Sequence, residues 1–184
     1  MKIIFTTSNK YKIQSAESVL NRYGIEVEGK DVEVDEIQSD LPEKVIIDKV
    51  KKCYQRIQKP LIAMDSGLFI ESLGGFPGVY TKFFIERVGE DGLIKLVEGI
   101  KKPKAYVQRM IGYTDGKMIK TFWSRGYGYI IDEKRGSNGR NYDLVFYVPK
   151  KKKTLAEMEI DEQVETWGDA WEKLAMWLKE NGKK

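Results

Sequence analysis

The sequence predicts an α/β protein: one two-lobed domain over residues 1–184, with a mixed twisted sheet flanked by helices and a central cleft. Three observations predict it. Short apolar runs, Ile3-Ile4-Phe5 and Leu61-Ile62-Ala63-Met64, alternate with segments of helical spacing over the first 64 residues. The middle changes character, with a glycine-rich loop followed by long β-forming runs around the turn Thr114-Asp115-Gly116-Lys117. The end returns to helical spacing through Trp167, Trp171, Leu174, Trp177 and Leu178. No linker-like stretch or internal repeat interrupts the chain, hence a single fold.

Each element follows from local signals. Residues 2–6 read as a buried strand, and 10–23 as a helix turning Ile13, Ala16, Val19 and Leu20 inward. Gly24 stands just past that helix, at a C-cap position. Residues 25–34 alternate as a strand or two. Asp40-Leu41-Pro42-Glu43 reads as a helix start, with Asp40 capping, Pro in the first turn and Glu three residues after Asp40. That helix runs to about Gln58, and Pro60 ends it. Leu61 to Met64 is a short strand followed at once by Asp65-Ser66-Gly67. Gly74 to Tyr80 is a turn-rich loop, and two short helices follow across 81–98. Ala105–Tyr113 and Met118–Ile131 pair as a hairpin, Gly136–Arg140 is a polar loop, and Leu144–Val148 is a further strand.

Composition narrows the function classes. Hydrophobic and charged fractions of 41% and 33% are those of an ordinary folded chain, which excludes a disordered or low-complexity reading. Net charge is +4, and the lysine clusters at 101–104 and 150–153 read as solvated loops, so nucleic acid is not an expected partner. No apolar stretch approaches membrane-spanning length and no signal peptide is visible, so a cytoplasmic location is expected. The lone Cys53 fits a reducing compartment. The absence of histidine excludes Ser-His and Cys-His nucleophile pairs and any His-ligated metal. Proton chemistry must fall to Asp, Glu, Lys or Tyr.

Several residues are chemically suggestive. In Thr6-Thr7-Ser8-Asn9-Lys10-Tyr11-Lys12 the polar residues could simply cap the first helix. The same helix start could hold a phosphate on its unpaired N–H groups, with Thr7, Asn9 and Lys12 adding contacts. Both readings stay open at this point. Glu36, where the second strand should end, and Asp65, at the end of the strand Leu61–Met64, are carboxylates at neighbouring strand ends. Such a pair could hold one Mg²⁺ bridging to phosphates, or be a solvated Glu and a turn Asp. Ser66 and Gly67 after Asp65 would suit an anion. Lys49 falls on the inward-leaning side of its helix, where a lysine usually snorkels to water.

Five segments recur together: TTSNKYK, Met64-Asp65-Ser66-Gly67-Leu68-Phe69, GGFPGVY at 74–80, Tyr142-Asp143-Leu144-Val145-Phe146, and TLAEM at 154–158. In this order and spacing the chain resembles, end to end, the inosine-triphosphate pyrophosphatase family. The resemblance implies hydrolysis of nucleoside triphosphates, with non-standard purines such as ITP or XTP, by Mg²⁺-assisted attack of water at the α-phosphorus. The products are a monophosphate and diphosphate. It implies catalytic roles for Asp65 and Lys49, and substrate contacts from Thr7, Asn9, Lys12, Ser66, Gly67, Tyr142 and Asp143. It also implies Glu36 and Asp65 as metal ligands, and a homodimer. Met64 replaces the first Asp of the family's Asp-Asp-Ser-Gly.

The base-recognition side departs further. Arg140-Asn141-Tyr142-Asp143 stands where the family has Phe-Gly-Trp-Asp. Gln163 replaces a Lys, and Trp167-Gly168-Asp169 replaces Ser-His-Arg. An oxopurine presents acceptors at O6 and N7 and needs donors around it, so Asp169 is the wrong partner. Trp167 or Arg140 could supply a stacking surface instead, though Trp167 could equally be core or dimer-contact filling, the role read for Trp171 and Trp177. Two other readings accompany the enzyme: a nucleotide-binding sensor that keeps the phosphate site without turnover, and a basic nucleic-acid-binding domain.

Overall fold

The structure, a computed structural model, describes residues 1–139 and 141–181. In chain order its elements are β1 (Lys2–Phe5), α1 (Lys10–Leu20), β2 (Glu26–Gly29), α2 (Pro42–Ile57), β3 (Leu61–Ile70), β4 (Pro77–Gly78) and α3 (Thr81–Leu96). Then come β5 (Lys104–Thr114), β6 (Ile119–Ile130), β7 (Phe146–Val148), β8 (Lys153–Thr154), α4 (Ile160–Thr166) and α5 (Ala170–Asn181). The sheet order is β2-β1-β3-β5-β6-β7-β8, with β4 on β3. β1 is parallel to β2 and β3, whereas β3–β4, β6–β7 and β7–β8 are antiparallel. This is the mixed α/β sheet that the alternation of strand and helix patterns predicts. No helix among the described residues is long and apolar enough to cross a membrane.

The chain forms two compact units. The first comprises Met1–Asp65, Arg109–Ser124 and the residues from Asp169 onward. Its core gathers Ile46, Val50 and Cys53 of α2 with Leu61, Ala63 and Met110, and Val32 and Val34 pack against this cluster. Trp171 sets its ring edge-on to Phe5, and its Nε1 donates to Ser15 Oγ on α1 (3.2 Å). Trp177 packs on Tyr113 and Phe122. Trp171 is thus buried core, as its helical spacing predicts.

The second unit comprises Ser66–Gln108 and Arg125–Gly168. Thr81 Oγ1 accepts from Leu68 N (2.7 Å) and donates to Gly78 O (2.6 Å), tying the start of α3 to β3 and β4. Phe69, Tyr106 and Arg125 form a ladder, the rings stacked at 5.0 Å and the guanidinium 4.4 Å from the Tyr106 centroid. α3 breaks at Gly89 (φ 65°), in accord with two short helices across 81–98.

Four expectations need correction. β2 has four residues, and 30–39 have no regular structure, so Glu36 lies well beyond its strand. The N-cap of α2 is Leu41 rather than Asp40, with no side-chain cap bond. Pro42 occupies the first helical position and forces the residue before it into extended backbone (φ −100°, ψ 105°). Asp65-Ser66-Gly67 lies inside β3, not at a turn after it, because Leu68 and Phe69 continue the strand opposite Gly78 and Pro77. Gly67 permits this, since a Cβ there would collide with the Gly78 carbonyl. The final helical stretch is two helices, parted where Gly168 adopts φ 78°.

Candidate functional site

The site grows from the turn between β1 and α1. Asn9 is the N-cap of α1, its Oδ1 accepting from Tyr11 N (3.0 Å) and Lys12 N (3.3 Å). Thr7 Oγ1 accepts from Asn9 N (3.2 Å) and shapes the same turn. Capping is therefore real here, but it engages only one end of the Asn9 amide. The Nδ2 end is the one that can donate to an anion at the helix start.

Lys12 lies one turn into α1, half-buried, and its Nζ donates to Met64 O (3.3 Å), the carbonyl just before Asp65. Burial pulls its ammonium below the ordinary lysine range. Asp65 and Glu36 oppose that pull, while Lys49 and Arg109 add to it. Four charged side chains from the irregular segment, α2, β3 and β5 are thus close enough to act on one ammonium. Met64 itself is buried, so this position contributes packing and a carbonyl instead of the family's extra carboxylate.

Lys49 reaches back from α2 to form an ion pair with Glu36. Its side chain is only 15% exposed, so the lysine does not simply snorkel into water. Asp65 and Glu36 are the oxygen donors of this neighbourhood. Among the described residues no group of three or more His, Cys, Asp and Glu is placed to hold a metal.

Arg109 escaped the sequence reading. It is buried on β5, donates to Ser15 Oγ (3.3 Å) and adds a permanently charged guanidinium near Lys12. The available signal was a lone cation inside the apolar run Ala105–Tyr113.

The remaining candidates belong to the second unit. Ser66 is half-exposed on β3 and Gly67 is buried beside it. Tyr142 and Asp143 lie in the single 3-10 turn Asn141–Leu144, and Gly139 lacks the Cβ that would press on the Asp143 carboxylate (2.8 Å). Arg140 lies outside the described residues.

Gln163 is fully buried, its Nε2 donating to Leu155 O (2.7 Å) and Met158 O (3.2 Å). Thr154 and Glu157 cap that same segment reciprocally, and Ser137 N and Asn138 N donate to Ala156 O. Trp167 is buried at the C-terminus of α4, where Gly126 passes so closely that a Cβ would stand 2.6 Å from Thr166 O. Of the two readings of Trp167, burial selects core filling over an exposed stacking surface. In the first unit, the Asp169 carboxylate pairs with Lys173 (2.8 Å), one turn further along.

The lysine cluster at 150–153 is likewise engaged: Lys151 pairs with Glu165 and Lys153 with Glu162.

Comparison with known proteins agrees with the motif order. A family model described as the Ham1 family matches residues 3–177. A dITP/XTP pyrophosphatase of Methanopyrus kandleri is 38% identical over 98% of both chains, and one of Pyrococcus horikoshii is 40% identical over 98% of both. The solved Staphylococcus aureus Ham1 protein superposes with a TM-score of 0.77 at 28% identity, covering both chains completely. The chain belongs to the Ham1 family. It is thereby an enzyme of the nucleoside-triphosphate pyrophosphatase class, which hydrolyses acid anhydrides.

Proposed function

We propose that the protein hydrolyses triphosphates of non-standard purine nucleosides, of the ITP and XTP kind, to the monophosphate and diphosphate. The observation that carries the reading is that Asp65, Glu36 and Lys49 all act on the Lys12 ammonium, one turn from an Asn-capped helix start. Two carboxylates among cations at a helix N-terminus suit a polyphosphate tail accompanied by a divalent ion. The relatives named dITP/XTP pyrophosphatase supply the substrate class.

Glu36 and Asp65 fit Mg²⁺ chemically. They are hard oxygen donors, and Mg²⁺ accepts one or two carboxylates while keeping water and phosphate as its other ligands. Glu36 already holds a cation, the Lys49 ammonium. When bound there, Mg²⁺ supplies Lewis-acid polarisation and neutralises charge on the phosphates.

The chain's own residues do the rest. Asp65 takes the proton from the water that attacks the α-phosphorus. Lys12 and Lys49 offset negative charge that grows on the leaving diphosphate, and Arg109 adds a fixed positive charge behind them. Asn9 Nδ2 and the Thr7 hydroxyl orient the tail, the Ser66–Gly67 segment continues the phosphate contacts, and Tyr142 and Asp143 serve the nucleoside. The protein acts in the cytoplasm as a homodimer, for which the exposed Phe83 and Val88 of α3 offer apolar surface.

The test is a panel of ATP, GTP, ITP, XTP and pyrimidine triphosphates with Mg²⁺ and a diphosphate readout. Preferential turnover of ITP or XTP is expected. Tight nucleotide binding without diphosphate release would replace the enzyme reading with a sensor.

A further inference from the structure

We propose that Lys49 is a built-in counter-ion, occupying the Glu36 carboxylate until a triphosphate arrives, so that divalent cation and triphosphate bind as a coupled pair. The proposal rests on the site reading above, in which Glu36 is a metal ligand and Lys49 a phosphate contact.

Glu36 sits in the irregular stretch 30–39, with no ladder of backbone bonds to hold it. What fastens that stretch to α2 is a pair of lysines one turn apart. Lys49 pairs with the Glu36 carboxylate, and Lys52 Nζ donates to Asp35 O (2.7 Å). Val32 and Val34 pin its other end to the core. The acidic segment is therefore drawn up to the helix by ammonium groups rather than by its own secondary structure.

This arrangement has a consequence for any cation. A divalent ion that takes the same carboxylate must displace an ammonium, since two positive charges on one small anion repel. Without triphosphate, the displaced Lys49 loses its carboxylate partner and remains close enough to the Lys12 ammonium to repel it. Because its side chain is largely covered, it loses more than an exposed surface pair would. With a triphosphate present, Lys49 gains a new anion as it leaves Glu36, while the ion takes both Glu36 and phosphate. Each ligand thus lowers the cost of the other, and such coupling is reciprocal by linkage. Lys49 acts here as a positioning residue before it acts as a phosphate contact.

The test uses the full chain and Mn²⁺ alone as a spin probe, with no nucleotide. Lys49→Met is expected to bind Mn²⁺ about three- to tenfold more tightly than the parent, because the competing ammonium is gone. Lys51→Met removes the same charge from an exposed position of the same helix, and is expected to change Mn²⁺ affinity less than about twofold. Glu36→Gln is expected to weaken Mn²⁺ binding. A circular dichroism melt of each variant confirms that it folds.

If Lys49→Met binds no more tightly, or Lys51→Met tightens binding equally, while Glu36→Gln still weakens it, the counter-ion role is overturned and the metal site stands. If Glu36→Gln leaves Mn²⁺ binding unchanged, the metal assignment falls, and the counter-ion proposal with it.

Discussion

The phosphate-side cluster and the base-side segment use polar residues in opposite ways. Around Lys12 the charged groups meet one another: Glu36 holds Lys49, Asp65 and Arg109 act on the same ammonium, and Asn9 spends one amide end on its helix. Around Gln163 the polar groups face the protein's own backbone. Gln163 donates into the Leu155 and Met158 carbonyls, and Trp167 is buried against the close pass of Gly126. The first region keeps a field for a ligand. In the second, Gln163 and Trp167 are part of the scaffold.

The comparison breaks most visibly at Asp65. On the proposed mechanism, Asp65→Asn is expected to lower kcat by about a thousandfold or more without unfolding the chain, since it would remove both the proposed proton acceptor and a proposed cation ligand. Single-turnover diphosphate release measures it. Asn9→Asp comes next: Asp caps helices as well as Asn, so the melting temperature should hold. A carboxylate at the phosphate donor position should nevertheless raise KM about tenfold or more.

Gln163→Lys sharpens the other side of the contrast. Restoring the family's lysine places a charge in a fully buried pocket of carbonyls, so a loss of about 2–4 kcal/mol of stability is expected. No gain in ITP preference should accompany it, because the pocket faces Leu155 and Met158; recovery of ITP selectivity with unchanged stability would refute the scaffold reading.

The smallest effect concerns Lys12→Met. Burial lowers the folded-state pKa of Lys12 below 10.5, so its charge opposes folding wherever both states are protonated. As pH rises from the folded value towards 10.5, the unfolded chain binds more protons and the native form gains stability. Lys12→Met should therefore melt a few degrees above the parent at pH 7, and the gap should close on approaching pH 10.5.

What the sequence disclosed follows from how local each signal is. The start of α1 was legible because strand, cap and helix are contiguous, and the strand–helix order carried the sheet. The Glu36–Lys49 pair was not, because it joins residues 13 apart through a stretch without periodicity. Asp65-Ser66-Gly67 carries turn residues, and only the pairing with β4 makes it strand. Nothing around Gln163 announces that the Leu155 and Met158 carbonyls converge on its amide. Arg109 showed only as a cation out of place.

The hydroxyl of Ser15 accepts from both the Trp171 indole and the Arg109 guanidinium, three residues along α1 from Lys12. That gives the protein a native optical reporter. Ligands that shift the start of α1 should alter Trp171 emission, so occupancy could be followed in the unlabelled enzyme. A fusion or truncation at the C-terminal end would disturb the indicator together with what it reports.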